Sequence, residues 1–101
     1  MKIVFATTAL GGIFLAAPVL ADEALAKKHN CMACHAIDKK LVGPAYKDVA
    51  AKYKGQNVAA KLQEKVKKGG QGVWGPVPMP PNAAVPDADI KTLVDWILKL
   101  G

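Results

Sequence analysis

Two cysteines and a histidine stand together in the segment Cys31-Met32-Ala33-Cys34-His35. The C-x-x-C-H spacing is typical of a c-type haem attachment site. Two thiols separated by two residues can reach the two vinyl groups at one edge of a porphyrin, and each thiol can form a thioether there. His35 follows directly and is then held beneath the iron as an axial ligand. The motif therefore predicts a covalently bound haem.

A second iron ligand is needed on the other face of a haem, and Met79 is the candidate. It lies in the stiff segment 75–81, which reads GPVPMPP. Met1 belongs to an apolar N-terminal run, and Met32 lies inside the attachment loop, so Met79 is the only sensible thioether. Neighbouring prolines reduce the entropy that is lost when the sulfur binds iron. Ligation by His35 and Met79 would leave no open position for a substrate, which predicts electron transfer rather than catalysis.

Three further residues are candidates for the haem environment. The second ring nitrogen of His35 needs an acceptor that fixes its tautomer, and the Pro44 carbonyl is a candidate. The Trp74 indole could donate to a haem propionate, or it could be core packing. The Asn82 amide could donate to the Met79 sulfur, or it could simply cap or turn the chain.

Residues 1–21 have the composition of a secretory signal peptide. Lys2 is the only charged residue before Asp22, and the apolar run ends in a small-residue cleavage site at Ala21. Residues 3–21 are also within the length of a membrane span, so an uncleaved anchor is the alternative. The expectation is a cleaved signal peptide, export of the chain and one mature domain over residues 22–101.

The mature chain is small and basic. It holds 13 lysines against 8 acidic residues, a net charge of +5, and it has no arginine. The absence of arginine disfavours specific recognition of nucleic acid, where the guanidinium fork is preferred. A domain of this size has a marginal core, and a disulfide within so short a loop would stabilise little. A covalently held haem would supply the missing apolar surface.

Apolar periodicity predicts four helices and no strand, hence an all-α fold. Residues 71–86 hold five of the seven prolines and are predicted to form an extended strap. The first helix is expected from Asp22 as N-cap to about Asn30, and the second over Ala45–Lys54. The third is expected from Asn57 as N-cap to Lys68, and the fourth from Asp87 as N-cap to the end. The fourth helix carries an apolar stripe formed by Ile90, Leu93, Val94, Ile97 and Leu98.

Two other kinds of protein could use the same residues. Cys31 and Cys34 could be a redox dithiol, or they could join His29 and His35 in a zinc site. A thioredoxin-like motif needs a βαβ context that the chain lacks, and ligands this close in sequence suit a tetrahedral ion poorly. The other alternative is a haem enzyme or sensor in which Met79 does not hold the iron.

The chain resembles the short bacterial class I cytochromes c, and the cytochrome c-551 (cytochrome c8) family in particular. The matching stretches are CMACHAID at 31–38, VGPAYKDVAAKY at 42–53, QGVWGPVPMPPN at 71–82 and the closing amphipathic helix. Together they cover nearly all of the mature chain. The motif QGVWGPVPMPPN is more specific to this family than C-x-x-C-H alone. The presence of both motifs in this order is stronger evidence still.

The resemblance implies a small class I cytochrome c fold, with about four helices wrapped around one covalently bound haem c. It implies a periplasmic monomer that carries single electrons from a membrane cytochrome complex towards nitrite reductase or a terminal oxidase. Its implied site residues are Cys31 and Cys34 as attachment points, His35 and Met79 as axial iron ligands, Pro44 as acceptor for the His35 ring N–H, Trp74 near a propionate, and Asn82 near the ligand methionine.

Lysines near the haem loops are candidates for steering an acidic partner. The alternative is that they only form a solvated face. The candidates are Lys27, Lys28, Lys39, Lys40, Lys67 and Lys68.

Overall fold

A computed structural model describes residues 18–101 of the chain. The described part contains four α-helices and one short 3₁₀ turn, which confirms the prediction of an all-α fold. Most of the predicted signal peptide, residues 1–17, lies outside the described residues. No helix within residues 18–101 is long and apolar enough to cross a membrane. The helices are α1 (Pro18–Lys28), α2 (Tyr46–Lys52), α3 (Ala59–Lys68) and α4 (Asp87–Leu98), and the 3₁₀ turn is Cys31–Ala33.

The predicted N-caps at the starts of α1 and α3 are wrong. Helix α1 already includes Pro18, the first described residue, so Asp22 lies inside it and does not cap it. Helix α3 begins at Ala59, and its N-cap is Val58 rather than Asn57. Val58 makes no side-chain capping hydrogen bond, so α3 depends on tertiary packing rather than on a capping side chain.

The starts of α2 and α4 also differ from the prediction. Helix α2 is shorter than expected, because Ala45 is its N-cap and the helix ends at Lys52. Helix α4 has Pro86 as its N-cap, and Asp87 is its first residue. The Asp87 carboxylate lies 3.0 Å from the Lys67 ammonium group. An acidic residue in the first turn still stabilises the positive end of the helix.

Helix α4 is the central element, and its stripe packs against the other three helices. On one side, Leu93 and Trp96 pack with Ala26 of α1 and Tyr46 of α2. On the other side, the cluster contains Ile90, Val94 and Val85, against which Ala59, Leu62, Val66 and Leu98 pack. The predicted apolar stripe of the last helix therefore divides between two small clusters.

The proline-rich segment folds back on itself instead of running as an extended strap. Gly70 and Met79 form an antiparallel bridge, with backbone N–O distances of 2.7 and 3.1 Å. Between them, the amide of Gly72 donates to the carbonyl of Gly75 and closes a tight turn. Gly69 has a φ of 79°, and a β-carbon there would lie 2.6 Å from the Met79 carbonyl oxygen. We call the closed segment 70–79 the Met79 loop.

A side-chain contact joins the end of α1 to the start of α4. The His29 Nε2 and an Asp89 carboxylate oxygen are 3.0 Å apart, and both side chains are partly buried. Directly after His29, Asn30 adopts a left-handed conformation with a φ of 63°, which asparagine tolerates better than most residues. This turn directs the chain from α1 into the cysteine motif.

Candidate functional site

A cavity of about 290 Å³ lies between the helices and the Met79 loop. Its walls are mainly apolar, and they include Val42 and Val77, whose side chains are exposed along its rim. Sequence reasoning predicted seven site residues, and all of them line this one cavity. They are Cys31, Cys34, His35, Pro44, Trp74, Met79 and Asn82.

The two cysteines are presented by the 3₁₀ turn. The Cys31 carbonyl accepts hydrogen bonds from the amides of both Cys34 and His35, at 3.2 and 3.0 Å. This tight winding keeps Cys31, Cys34 and His35 close together, and all three line the cavity. Both cysteines are free thiols of intermediate exposure, as covalent attachment requires.

One hydrogen bond to the backbone fixes the tautomer of the His35 ring. Its Nδ1 lies 2.8 Å from the carbonyl oxygen of Pro44. A carbonyl can only accept, so the proton of the neutral ring is on Nδ1 and the lone pair is on Nε2. Nε2 is therefore the nitrogen available to a metal.

The segment that carries Pro44 is hydrogen-bonded alongside the segment that carries His35. The Gly43 amide donates to the Cys34 carbonyl at 2.7 Å, and the Tyr46 amide donates to the Ala36 carbonyl at 2.9 Å. This pairing aligns residues 43–46 with the imidazole, so that Pro44 and Tyr46 contact its ring and Gly43 lies beside it.

Gly43 lies so close to the imidazole that no side chain fits there. A β-carbon at this position would lie 2.6 Å from His35 Cε1 and 2.9 Å from Nδ1. Such distances are well inside van der Waals contact. The absence of a side chain at Gly43 is therefore a requirement of the ring position.

Tyr46 contacts both the imidazole and the first cysteine. Its ring stacks on the ring of His35, with centroids 4.8 Å apart and an interplanar angle of 22°. Burial raises the pKa of the Cys31 thiol, and a hydrogen bond with the Tyr46 side chain partly opposes that rise. Burial also raises the pKa of Tyr46, and the negative charge of an ionised Cys31 would raise it further. Both groups are therefore held in their neutral forms as long as Cys31 is a free thiol.

Trp74 and Asn82 lie on the Met79 side of the cavity. The Lys52 ammonium group lies 5.5 Å from the centre of the Trp74 ring, within cation–π distance. The Asn82 amide nitrogen donates to the carbonyls of Val66 and Pro80, at 3.1 and 3.2 Å. An amide group has two hydrogens, so both are directed at the backbone here rather than at a sulfur.

The donor set fits a covalently attached haem better than a bare ion. Two thiols, an imidazole with a free Nε2 lone pair and a thioether surround one large apolar cavity. Within residues 18–101, no three His, Cys, Asp or Glu side chains form a cluster that could hold a metal ion. His29, which the zinc alternative requires, is instead bonded to Asp89.

Comparison with known proteins agrees with this chemistry. A family profile described as "Cytochrome c" matches residues 22–101. Cytochrome c-552 of Nitrosomonas europaea is 54% identical over 95 residues, covering 93% of this chain and 92% of that protein. Cytochrome c-551 of Pseudomonas aeruginosa is 61% identical over 77 residues, covering 75% of this chain and 73% of that protein.

The chain belongs to the class I c-type cytochromes of the cytochrome c-551 family. The crystal structure of wild-type Nitrosomonas europaea cytochrome c552 matches this cytochrome with a TM-score of 0.75 at 56% identity, covering 78% of this chain and 99% of that one. The class 1 cytochrome MtoD from Sideroxydans lithotrophicus matches with a TM-score of 0.67 at 39% identity, covering 84% and 98%.

Family membership settles the cofactor and the class of function. This cytochrome binds one covalent haem c, and it is an electron carrier rather than an enzyme. The predictions of a class I cytochrome fold, of haem c and of a non-enzymatic role are thereby confirmed. The haem-enzyme and zinc alternatives are both disfavoured.

Sequence reasoning missed Gly43 and Tyr46 as parts of the site. The only signal was their spacing around Pro44, since Gly43 precedes it and Tyr46 follows it by two residues. Neither a glycine before a proline nor a tyrosine at a helix start has a specific chemical meaning by itself. Their roles depend on the pairing of residues 43–46 with the histidine segment.

Proposed function

We propose that residues 22–101 form a periplasmic single-electron carrier, released by cleavage of a signal peptide over residues 1–21. In this proposal, Cys31 and Cys34 form the thioethers to haem, and His35 and Met79 bind the iron. The observation that carries it is the 2.8 Å hydrogen bond from His35 Nδ1 to the Pro44 carbonyl. That bond prepares the other ring nitrogen, Nε2, as a ligand in a cavity that Met79 also lines.

A haem held by these residues would supply one-electron chemistry, between ferric and ferrous iron. The chain's own residues hold the ligands in place through that step. Pro44 fixes the His35 tautomer, and the bridge to Gly70 holds the backbone of Met79. The mainly apolar walls would surround the haem with a medium of low polarity, in which electrostatic interactions with the iron charge are stronger.

The first test is the visible spectrum of the exported protein in both oxidation states. We expect low-spin spectra and a weak far-red ferric band that reports a sulfur–iron bond. Met79→Ala should abolish that band and produce a high-spin ferric spectrum. Met32→Leu is the matched control, because Met32 packs against the core cluster around Trp96, and it should keep the band. A wild-type protein that is high-spin and binds cyanide without delay would refute ligation by Met79.

The attachment and the export are tested separately. Haem should remain on the chain in denaturing electrophoresis, so that the protein band stains for haem. The band should lose this stain when Cys31 and Cys34 are both replaced by alanine. The mature protein should begin at Asp22 in N-terminal sequencing. A chain that retains residue 1 and fractionates with membranes would instead support the anchor.

Within the proposal, electrons arrive from a membrane cytochrome complex and leave to nitrite reductase or a terminal oxidase. Lys40 supports steering of such partners, because it lines the cavity and its side chain is exposed. Lys67 and Lys68 are less suited, since each already contacts an acidic side chain.

Steering is tested by the salt dependence of the electron-transfer rate with a nitrite reductase. Lys40→Gln should lower the rate at low ionic strength and flatten its salt dependence. Lys91→Gln is the control, because it removes the same charge from α4, where Lys91 pairs with Asp95. Equal effects of the two changes would mean that only net charge matters.

A further inference from the structure

Tyr46 makes a contact with His35 that neither haem attachment nor iron ligation by itself requires. The two rings are nearly parallel, with an interplanar angle of 22° and a centroid separation of 4.8 Å. Offset stacking of this kind has a preferred geometry. A flat aromatic face next to the imidazole therefore favours one orientation of the imidazole plane.

The Tyr46 ring is itself held firmly. Its side chain is 4% exposed and packs in the cluster with Leu93 and Trp96. The edge of the Trp96 ring meets it at 75°, with centroids 5.7 Å apart. Its backbone amide donates to the Ala36 carbonyl. Because the Tyr46 ring is held by α4 and by the histidine segment, it is a rigid surface against which the imidazole stacks.

The other contacts of the imidazole restrain the position of one ring atom and leave space for the ring. The Pro44 carbonyl holds one point of the ring, Nδ1. Gly43 leaves room where a β-carbon would strike the ring. The hydrogen bond at Nδ1 lies off the iron–Nε2 axis, so it already limits rotation of the ring about that axis, but a single hydrogen bond tolerates bending of about 30°. Of the residues that touch the imidazole, Tyr46 is the one whose flat face opposes that rotation.

We propose that Tyr46 is a positioning residue that sets the plane of the His35 imidazole. This inference rests on the proposed ligation of iron by His35. The plane of an axial imidazole decides how it overlaps with the iron orbitals, and hence how unpaired spin is distributed over the porphyrin. Tyr46 would thereby determine at which edge of the haem the spin density is highest.

The test is proton NMR of the ferric, cyanide-bound protein. The four haem methyl resonances are displaced according to the spin distribution, and their order follows the orientation of the axial ligands. Cyanide is axially symmetric and displaces the methionine, so the methyl order then reports the His35 plane alone. Tyr46→Leu removes the flat face, and we expect it to change both the order and the spread of the methyl resonances.

Two control variants separate the ring plane from general loosening of the core. Tyr46→Phe keeps the ring and should keep the wild-type methyl order. Ile90→Val loosens the core elsewhere, because Ile90 is buried in the cluster with Val85 and Val94, which does not include Tyr46. It should lower the unfolding midpoint while leaving the methyl order intact. An Ile90→Val spectrum as altered as that of Tyr46→Leu would overturn the proposal.

Three other outcomes of the NMR experiment also distinguish the role of Tyr46 from the proposed function. If Tyr46→Leu does not fold, Tyr46→Met takes its place, because a flexible unbranched side chain fills irregular core gaps. An unchanged methyl order in a folded variant that lacks the ring refutes the role of Tyr46 and leaves the proposed function standing. A wild-type protein without low-spin histidine ligation would instead refute the proposed function, and this inference with it.

Discussion

Replacement of Gly43 by alanine tests the proposed site with the smallest possible change. The added β-carbon would lie 2.6, 2.9 and 3.1 Å from three atoms of the His35 ring. Alanine is otherwise acceptable there, because Gly43 is not among the residues with positive φ. The collision with the imidazole is therefore the main effect of the substitution.

The imidazole has little freedom to move away from that β-carbon. Its Nδ1 is bonded to Pro44 at 2.8 Å, and its face is stacked on Tyr46. Overpacking of this kind destabilises a folded protein by about 1–3 kcal/mol. Alanine also lowers the conformational entropy of the unfolded chain relative to glycine, which offsets about 0.4–1 kcal/mol of that loss. We expect the free energy of unfolding to fall by about 1–2 kcal/mol, which lowers the melting temperature by about 4–16 °C in a domain of this size.

Gly70→Ala is the matched control. A β-carbon at Gly70 would lie 2.5 Å from Cδ of Lys65, a distance as short as that at Gly43. The neighbour here is a flexible side chain that can rotate away. The free energy of unfolding should therefore change by less than about 0.5 kcal/mol.

The assay is guanidinium unfolding of the ferric protein, followed by the far-red sulfur–iron band and by circular dichroism. Gly43→Ala should shift the midpoint to lower denaturant without a change in slope. If Gly43→Ala is as stable as the wild-type protein and has the same spectrum, the imidazole is not confined as described. If Gly70→Ala loses as much stability, the loss at Gly43 does not report the imidazole.

Two further changes test contacts that hold the helices and the Met79 loop. Asp89→Asn removes the charge opposite His29 in a partly buried contact of 3.0 Å, and thermal unfolding should show a loss of about 1 kcal/mol. Asp95→Asn, in an exposed contact within one helix, should lose less than about 0.5 kcal/mol, and equal losses would contradict the inter-helix role. Asn82→Ala removes two hydrogen bonds, one of them to Pro80, and should lose about 1–2 kcal/mol. A far-red band that survives this change would place Asn82 in the support of the loop rather than at the sulfur.

Features that depend on short spacing were predictable from the sequence. The C-x-x-C-H motif acts within five residues, and the bond from His35 to Pro44 lies where that local reasoning places it. The stripe of α4 is also local, because helical periodicity alone selects the face that Leu93 shares with its neighbours.

Contacts made between distant segments were not predictable in the same way. Asp87 was expected to cap α4, but its carboxylate instead reaches Lys67, which is remote in sequence. Tyr46 gave no signal beyond its spacing from Pro44, because its importance arises from a stack with a residue on another segment. Prolines predicted stiffness in residues 71–86, yet the glycines among them allow the turn that closes the Met79 loop.

The bridge between Gly70 and Met79 has a consequence for competition at the iron. Two backbone hydrogen bonds hold Met79 in the loop. Under the proposed ligation by Met79, a sulfur that left the iron would stay tethered nearby, at a high effective concentration, and would rebind without reordering of the loop. An external ligand such as cyanide would have to outcompete this tethered thioether at every encounter. Weakening the loop, rather than the sulfur, should therefore be enough to open the iron to small molecules.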